Sequence, residues 1–443
     1  MKVRELTDEY LELLKKDVAD AERNYEKTID YIHSSTAIYH GEYIRFPYVP
    51  KLYTNEVVHS YEYIVETTHG ILCKVIERYL RDEQYRKLFH FEKELEELIL
   101  SDPGYPDLLP IARFDLFMNE DDLSFKFCEF NADGASAMNE DRELNNAFAE
   151  DRIFRKFAEK HHVTSFELFD SWIDCVEDIY SRFRYRRDNP TVAIADFTES
   201  ATDEEFKIFR DRFEKRGYKT RISDITRLRE REGMLYDEDG ERIDIVYRRA
   251  VTGEIMEKKD SVRDFIRAAK SGKTCIIGAF RTQVVHNKVV FMILHDEKTL
   301  EMLTDEEKAF VREHVPYTTL LETGRFDPDE IVKNKDSWII KPSDLYGAVG
   351  VYAGVDYDSD EYRRLVGECT DRGYLLQEYA PMYRTENFIR ELDGSFAFDS
   401  FSNMPGLFSY NGSFAGVYAR GGRQGIICEA AGGVAFCSMH VHE

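Results

Sequence analysis

A series of short apolar segments separated by helical patterns is the feature that most limits the fold of this chain. TVAIADF (191–197) is continuous and apolar, which is typical of a strand covered on both faces in a parallel sheet. A charged helical segment follows and ends at Gly217, and YKTRI, IDIVYRR and KTCII then have the composition of further strands. This alternation predicts an open α/β domain at 190–284. Its first strand-to-helix turn, DFTES, lacks the glycines of a dinucleotide fingerprint, so we do not expect a dinucleotide site there.

The first part of the chain has a different pattern. The full length of 443 residues is enough for two or three domains. Residues 5–33 have the apolar spacing of a long helix, and a second helical pattern covers 55–82. We therefore expect an N-terminal helical region at 1–110. Its amphipathic first helix could serve an interface, so a dimer is possible, and the oligomeric state stays open.

Composition excludes some classes of partner. The net charge of −25 argues against nucleic acid, whose binding needs many Lys and Arg contacts to phosphate. No apolar run approaches the roughly 20 residues that span a bilayer, and the charged N-terminus has no secretory pattern. Seven scattered cysteines without a C-x-x-C pair predict free thiols in a reducing compartment. We therefore expect a cytoplasmic protein without membrane or nucleic-acid partners.

Two apolar runs joined by a polar turn predict a β-hairpin. IARFDLFM (111–118) is the first strand and SFKFCEFN (124–131) is the second. Residues 140–184 then return to a helical pattern, so we expect a region at 111–189 that contains the hairpin and helices. At period two, Glu129 and Asn131 share a face with the aromatic residues at 125 and 127. They are either a strand end that faces solvent or part of a metal site.

The hairpin carries the residue types of a magnesium site. Asp115, Glu129 and Asn131 supply the hard oxygen ligands that Mg²⁺ prefers, usually with waters and phosphates. Arg113 has a planar fork that can bind two oxygens of a carboxylate or acyl phosphate. Asp115 reaches the face of Glu129 only if the turn has an odd number of residues or the hairpin contains a bulge.

The last region, 285–443, contains candidate nucleotide contacts. Lys341 ends an apolar strand, and Gly347 and Gly350 follow in a loop that could approach phosphates. Gln377 and Glu378 follow two leucines on a later strand, where an acid could accept a hydrogen bond from an adenine amino group. Each pattern is weak alone, because a glycine hairpin and a polar strand end are common.

Three further features belong to this region. Lys288 precedes Lys341 in VVHNKVVF, where an apolar helix is expected near 286–288, and Lys308 competes with it for the same role. The stretch from about 387 to 422 predicts an antiparallel meander. The terminal HVHE contains His440 and His442, which could pair on a metal, although an exposed frayed tail is the stronger expectation.

Taken in order, these blocks resemble the glutathionylspermidine synthase family of the ATP-grasp superfamily, in its synthetase domain. RFDLFMNEDDLSFKFCEFNADGAS carries the closest similarity, and HNK, IIKPSDLYGAVG, LLQEYAP and AGVYARGG follow in the family's order. The resemblance covers roughly residues 110 to 425. Most ATP-grasp enzymes have the metal ligands after the lysines, whereas here they come first. This implies a rearranged or circularly permuted ATP-grasp fold with a Rossmann-like pre-ATP-grasp domain, whose active site is assembled from both ends of the chain.

The resemblance also implies a function and a set of roles. The function is an ATP-dependent carboxylate–amine ligase, which forms an amide through an acyl phosphate and releases ADP. The implied roles are magnesium binding by Asp115, Glu129 and Asn131, phosphate contact by Lys288 and Lys341, lid formation at Gly347 and Gly350, adenine contact by Gln377 and Glu378, stabilisation of the transferred phosphoryl group by Arg113 and Arg420, and substrate contact by Ser136.

The sequence departs from the family on the substrate side. Gly134 stands where the family has a serine, and the lid lacks the family's Gly-Arg pair. Glutathione and spermidine are therefore not assured as substrates, whereas the ATP residues are all present. Three alternatives stay open: a ligase of another small peptide or natural product, a catalytically silent nucleotide-binding relative, and a structural protein without a nucleotide site.

Overall fold

The computed structural model describes residues 2–39, 41–199, 203–344, 349–427 and 432–442. The architecture is mixed α/β, as predicted. The N-terminal region contains α1 (Val3–Lys16), α2 (Val18–His33), β1 (Ile38–Tyr39), β2 (Glu42–Tyr43), β3 (Lys51–Thr54), α3 (Asn55–Arg81), α4 (Glu83–Arg86) and α5 (Lys93–Leu100). The single helix predicted at 5–33 is two helices, because Asp17 is non-helical (φ −149°) and its carboxylate caps α2 by accepting from the amide of Asp20.

The predicted hairpin is present with nearly the predicted bounds. This segment contains β4 (Ile111–Met118), β5 (Phe125–Asn131), α6 (Met138–Glu150), α7 (Arg152–Ala158), β6 (His162–Ser165) and α8 (Asp170–Ser181). The prediction of helix throughout 140–184 is wrong at residues 162–165, which form β6. That strand pairs with a strand at the far end of the chain, and local spacing does not reveal such a distant partner.

The predicted α/β domain contains a four-stranded parallel sheet. Its segment comprises β7 (Thr191–Asp196), α9 (Asp203–Lys215), β8 (Lys219–Asp224), β9 (Arg229–Arg231), β10 (Met234–Tyr236), β11 (Arg242–Ile243), β12 (Ile245–Arg248), α10 (Thr252–Glu257), α11 (Arg263–Ser271) and β13 (Cys275–Ile277). The parallel order is β13-β12-β7-β8, while β9 to β11 form a separate antiparallel sheet. The carboxyl ends of β7 and β12 lie side by side, where open α/β sheets bind ligands.

The last segment supplies a smaller antiparallel sheet and a long meander. It contains α12 (Gln283–His286), α13 (Val290–Ile293), α14 (Glu297–Leu300), α15 (Asp305–His314), β14 (Thr318–Leu320), α16 (Pro328–Lys333), β15 (Trp338–Pro342), β16 (Tyr352–Ala353), α17 (Ser359–Cys369), β17 (Tyr374–Glu378), β18 (Arg384–Arg390), β19 (Phe396–Tyr410), β20 (Ser413–Gly422), β21 (Val434–Phe436) and β22 (Ser438–His442). The smaller sheet has the order β14-β17-β15-β16. Lys288 follows α12 and precedes α13, so the helix expected near it is two short helices with Lys288 between them.

The largest sheet joins distant parts of the chain. Its order is β21-β20-β19-β4-β5, and β18 pairs with β19. The hairpin of the first third of the chain is therefore continuous with the C-terminal meander, as the predicted assembly from both ends requires. The sheet thus contains strands from both of the predicted regions 111–189 and 285–443. The division of the chain into these regions stays a prediction.

The final strand is part of the folded structure. β22 lies between β3 and β6, and Met439 and Val441 are buried. The ring nitrogen Nε2 of His440 contacts the Asn55 side-chain oxygen at 2.8 Å, and that of His442 contacts the Thr164 hydroxyl at 2.7 Å. The expectation of a frayed tail is therefore wrong.

Three whole-chain predictions concern metals, thiols and membranes. Within the described ranges, no group of three or more His, Cys, Asp or Glu side chains is arranged to hold a metal. Six cysteines are free thiols, and Cys428 lies outside the described residues. No helix in the described part of the chain is long and apolar enough to cross a membrane.

Candidate active site

A β-bulge at Cys128 determines which side chains of the hairpin face the site. Leu116 pairs with Phe127, but Asp115 pairs with Glu129, so Cys128 is the extra residue. The turn at 119–124 has an even number of residues, and the bulge therefore satisfies the condition that brings Asp115 opposite Glu129. Arg113 pairs with Asn131 one step further along, on the same face.

The same bulge corrects one prediction. Phe125, Phe127 and Phe130 all belong to the hydrophobic core, and the rings of Phe127 and Phe130 lie 5.0 Å apart. Glu129 and Asn131 therefore do not share the face of the aromatic residues at 125 and 127. The extra residue reverses the alternation, so the aromatics pack inward while the acid and the amide face the opposite side.

Asp115 is the centre of a buried polar network. Its side chain is fully buried and accepts two hydrogen bonds from Arg113, at 2.7 Å from Nε and 3.0 Å from Nη2. The Asn131 amide donates to Oδ2 at 3.0 Å, and Arg420 donates to the same oxygen at 2.5 Å. Bidentate arginine–carboxylate contacts are strong and directional, so Asp115 fixes the position of Arg113, and it also holds Arg420 through one hydrogen bond. The network connects β4, β5 and β20.

Gly406 provides the space for this network. It lies on β19 directly opposite Asp115. A Cβ at this position would lie 2.6 Å from Asp115 Oδ1 and 2.9 Å from Arg113 Nε. Any side chain here would displace the carboxylate or the guanidinium, so the site requires glycine at position 406. The sequence offered no signal for this residue, because its partner lies about three hundred positions away in a strand pairing.

The two predicted lysines meet at Glu129 and the bulge. Lys288 Nζ lies 2.8 Å from Glu129 Oε1, and Lys341 Nζ donates to the carbonyl of Cys128 at 3.3 Å. A backbone hydrogen bond of 2.9 Å from the Lys288 amide to the Ser343 carbonyl ties the segment between α12 and α13 to the end of β15. Lys308, the alternative candidate, instead forms an ion pair with Asp305 on the surface of α15.

The lysines control the charge of Glu129. Burial opposes its ionisation, but Lys288, Lys341 and His286 more than offset that effect and lower the pKa of Glu129 to about 2. The acid is therefore a carboxylate at neutral pH. Such a group is ready to bind a cation without first losing a proton.

Three arginines hold the loop that follows β5. Arg248 forms a fully buried ion pair with Asp133 at 2.6 Å. Arg249 donates to the carbonyl of Ala135 at 2.5 Å, and Arg113 donates to the carbonyl of Ser136 at 2.9 Å. Because Arg248 and Arg249 come from the end of β12 and from the residue after it, this loop lies at the carboxyl edge of the parallel sheet. The half-buried Ser136 thus lies between the arginines of two sheets.

Gly134 has a structural reason for departing from the family pattern. Its φ is +66°, and a Cβ would lie 2.8 Å from the backbone oxygen of Arg249. Glycine adopts this left-handed conformation without strain, and any other residue would also collide with the chain after β12. The sequence predicted a change of substrate at this position, whereas the backbone alone accounts for glycine here.

The residues predicted to contact ATP divide into three groups. Lys341 and Gln377 lie on one face of the smaller sheet, and the buried Gln377 amide donates to the Thr318 hydroxyl at 2.9 Å. Glu378 is the next residue, so its exposed side chain leaves on the opposite face, away from Lys341. Gly350 is left-handed with a φ of +72°, and Gly347 lies outside the described residues.

Two buried residues that could take part in the chemistry of the site were not predicted from the sequence. Glu140 is only 6% exposed in the first turn of α6, and Tyr418 is 7% exposed on β20 directly opposite Gly406. Acids are common in the first helical turn because they interact favourably with the helix dipole, so Glu140 carried no distinctive signal. Burial raises the pKa of Glu140, and the neighbouring Glu205 raises it further.

The oxygen ligands on the sheet face fit magnesium. Two carboxylates, Asp115 and Glu129, face each other across β4 and β5, and the Asn131 amide is in the next row. Magnesium is usually held by one or two carboxylates, with waters and phosphates completing the shell, so three such ligands are sufficient. Glu129 is the more available carboxylate, because Asp115 has both oxygens occupied by arginines and Asn131.

Comparison with known families decides the relationship. The family model described as glutathionylspermidine synthase preATP-grasp matches residues 18–434. The chain belongs to this family. The match extends well beyond the blocks from which the resemblance was inferred. No curated protein sequence matches the chain.

Solved structures show how far the fold is shared. A glutathione synthetase-like effector from Globodera pallida in its apo form has a TM-score of 0.61 and 11% identity, covering 96% of this chain and 98% of that one. A putative γ-glutamylcysteine synthetase from Methylobacillus flagellatus has a TM-score of 0.41 and 11% identity, covering 83% and 87%. The first likeness shows that this family member has the fold of a glutathione synthetase-like protein. Family and fold together indicate an ATP-grasp-type ligase.

Proposed function

We propose that this family member is an ATP-dependent carboxylate–amine ligase that forms an amide through an acyl phosphate and releases ADP. The observation that supports this most directly is that four cations gather at the hairpin: Arg113 and Arg420 pair with Asp115, Lys288 pairs with Glu129, and Lys341 donates to the neighbouring carbonyl of Cys128. Four cations against two carboxylates leave a local excess of positive charge, although the chain as a whole carries −25. Such a local excess suits the phosphates of ATP.

The cations have separate tasks in the proposed reaction. Lys288 and Lys341 approach from the smaller sheet and its neighbouring helices, and they would hold the β- and γ-phosphates as point charges. Arg113 and Arg420 approach from the large sheet, where Asp115 keeps both guanidinium groups in place. They would stabilise the charge that develops as the substrate carboxylate attacks the γ-phosphate.

Glu129, Asn131 and Asp115 are the proposed magnesium ligands. Magnesium bound there would neutralise phosphate charge and align ATP with the substrate carboxylate. Glu129 contacts Lys288 through Oε1. Its low pKa keeps it an ionised carboxylate, which is the form that would hold the metal.

The substrates are proposed as a small-molecule carboxylate and an amine. The Ser136 loop, held by Arg113 and Arg249, provides a preformed edge for the carboxylate substrate beside the phosphoryl group. The family description names glutathionylspermidine synthesis, so a peptide and a polyamine are candidate substrates. Gln377, on the face of Lys341, is proposed to line the adenine pocket, whereas the side chain of Glu378 points to the other face and is left out of this proposal. The loop with Gly347 and Gly350 is proposed as the lid.

The proposal is tested by product analysis with a general nucleophile. The protein is incubated with MgATP, hydroxylamine and a panel of peptide and amino-acid carboxylates, and ADP and hydroxamate are measured. We expect both products with at least one carboxylate, and we expect Glu129→Gln to lose them while keeping its fold by circular dichroism. Glu313→Gln, an exposed glutamate on α15, is the matched control. Formation of AMP and pyrophosphate, or undiminished turnover by Glu129→Gln, would show that the assignment is wrong.

A further inference from the structure

Glu140 is a buried acid whose carboxylate has no hydrogen-bond or ion-pair partner in any other described residue. The side chain is more than nine-tenths buried. Neither oxygen of the Glu140 carboxylate is fully enclosed, so both keep access to open space. A buried carboxylate without a partner is costly, and proteins retain such groups mostly at functional sites.

The neighbouring acids already have partners. Glu205 on α9 pairs with Arg249 at 2.9 Å and accepts from the amide of Met138 at 2.8 Å, which caps α6. Asp141 accepts from the Asn145 amide at 2.9 Å, and burial raises its pKa well above the ordinary value. Asp141 Oδ1 has no hydrogen-bond partner but is fully enclosed, so of these three acids only Glu140 has unpaired oxygens that are open to a ligand.

Glu140 lies near the candidate active site. It interacts electrostatically with Arg113, Arg249 and Tyr418, and the Arg113 guanidinium lies 5.9 Å from the centre of the Tyr418 ring. Tyr418 is on the same row as Gly406, Asp115 and Glu129, so its ring lies beside the face that carries the predicted magnesium ligands. Its hydroxyl has no hydrogen-bond partner among the described residues and is not fully enclosed. An acid and a hydroxyl therefore lie near Arg113, and neither is fully enclosed.

We propose that Glu140, with the Tyr418 hydroxyl beside it, binds the ammonium group of the acceptor amine and takes its proton for amide formation. This inference rests on the proposed ligase function. At neutral pH an alkylamine is an ammonium ion, which cannot attack an acyl phosphate until it loses a proton. The proton passes to the Glu140 carboxylate, the amine nitrogen bonds to the acyl carbon, and the carbon–oxygen bond to phosphate breaks. Phosphate leaves with the bonding electrons, and the amide nitrogen loses its second proton to solvent.

The charges around Glu140 explain why it would select a cation. Arg113 and Arg249 favour the charged form of Glu140, but they are paired with Asp115 and Glu205 and do not outweigh burial. Burial and Glu205 disfavour the lone carboxylate, and an incoming ammonium ion relieves both penalties. An uncharged ligand of the same shape offers no such relief. The site is therefore expected to discriminate by charge.

Ligand binding tests the site without a known acyl donor. Butylamine and 1-butanol are compared by saturation-transfer NMR with the full chain. We expect butylammonium to bind and butanol not to bind, with Glu140→Gln weakening butylammonium by roughly tenfold or more, because a charge-assisted contact is lost. Tyr418→Phe should weaken it less. Glu150→Gln, at the other end of α6, is the control and should bind as the parent does. Equal binding of both ligands, or of butylammonium by Glu140→Gln, overturns the proposal.

Stability measurements separate a binding role from a structural one. The unfolded chain ionises Glu140 near its ordinary pKa, whereas the folded pKa is raised, so the folded state binds more protons in between and loses stability as pH rises. Glu140→Gln should therefore melt higher than the parent at pH 8, with a smaller difference at pH 5. A lower melting temperature for the variant at pH 8 would show a structural role.

These measurements distinguish the two proposals. If the protein binds MgATP but butylammonium binding does not depend on Glu140, the amine site is wrong and the ligase assignment stands. If butylammonium depends on Glu140 but MgATP does not bind, the ligase assignment fails. In that case Glu140 is a cation site of another kind.

Discussion

Asp115 connects the two ends of the chain at the level of single residues. Arg113 lies two positions before it and Asn131 lies on the neighbouring strand, but Arg420 comes from the last strands of the meander. The sequence predicted all four residues, because carboxylate, amide and arginine types recur in an ordered family pattern. It could not predict that Asp115 would bind both arginines, since that depends on the pairing of β4 with β19 and of β19 with β20.

Replacing Gly406 by alanine should disturb this network. The new Cβ would lie 2.6 Å from Asp115 Oδ1, so the Arg113–Asp115 contact must shift. We expect a loss of roughly 1–3 kcal/mol in the free energy of unfolding from overpacking. Turnover of MgATP should fall by roughly a hundredfold, because the arginines lose their alignment. Denaturant titration and ADP assays measure the two effects.

Gly367→Ala is the matched control for Gly406. It makes the same chemical change within α17, where nothing lies within 4 Å of the added Cβ. We expect it to be neutral or stabilising by about 0.5–1 kcal/mol, because alanine suits a helix interior better than glycine. An unperturbed Gly406→Ala variant would mean that the site tolerates a side chain there.

Gly134→Ser restores the residue type of the family but should destabilise this chain. The left-handed backbone strains any non-glycine residue by about 1–3 kcal/mol, and the contact with Arg249 adds to that cost. Gly217→Ser is the control, because its φ of +91° is also left-handed but nothing lies within 4 Å of a Cβ. We expect the loss of unfolding free energy at Gly134 to exceed that at Gly217. Equal losses of unfolding free energy at the two positions would show that the close approach of the added Cβ to Arg249 costs no stability.

Among the elements, the bulge in β5 decides the chemistry of the site. Period-two spacing predicted the hairpin and both its strands, since that signal is local. It placed Glu129 on the wrong face, because one extra residue reverses every later side chain and nothing in FKFCEFN marks that residue. Lys341 binds the carbonyl of Cys128, so the bulge also forms a contact with a lysine more than two hundred positions away.

The terminal strand is a second element whose importance was not predictable. Met439 is 3% exposed in the middle of a sheet formed by β3, β22 and β6. Met439→Ala should lower the free energy of unfolding by roughly 2–5 kcal/mol through loss of buried contacts. Leu392→Ala is the control, because Leu392 is 87% exposed and should change stability very little. Urea denaturation measures both variants, and similar stability for the two would mean that β22 contributes little.

At the scale of the whole molecule, buried charges connect the parallel sheet to the large sheet. Arg248 ends β12, Asp133 follows β5, and both side chains are 1% exposed. The sequence predicted the parallel strands, the hairpin, the meander and the permuted order of the blocks, because strand patterns and motif order are readable along the chain. It did not predict this link, since an arginine after an apolar strand has many possible partners.

Breaking the Arg248–Asp133 pair should destabilise the protein strongly. Arg248→Met leaves a buried carboxylate without its cation, and we expect a loss of roughly 3–5 kcal/mol. The same substitution at Arg227, whose pair with Glu238 is largely exposed, should cost about 0–1 kcal/mol. A double-mutant cycle with Asp133→Asn measures the coupling between the two sheets. Independent effects of the two substitutions would show that the pair is not a link.

The central claim concerns the site that both ends of the chain build for MgATP. Isothermal titration of the full chain with ATP, with and without magnesium, tests it most directly. We predict magnesium-dependent binding of ATP, with Glu129→Gln losing the dependence on magnesium and Lys341→Met weakening ATP itself. If the unaltered protein takes up no ATP at millimolar concentration in the presence of magnesium, the account of this site is wrong.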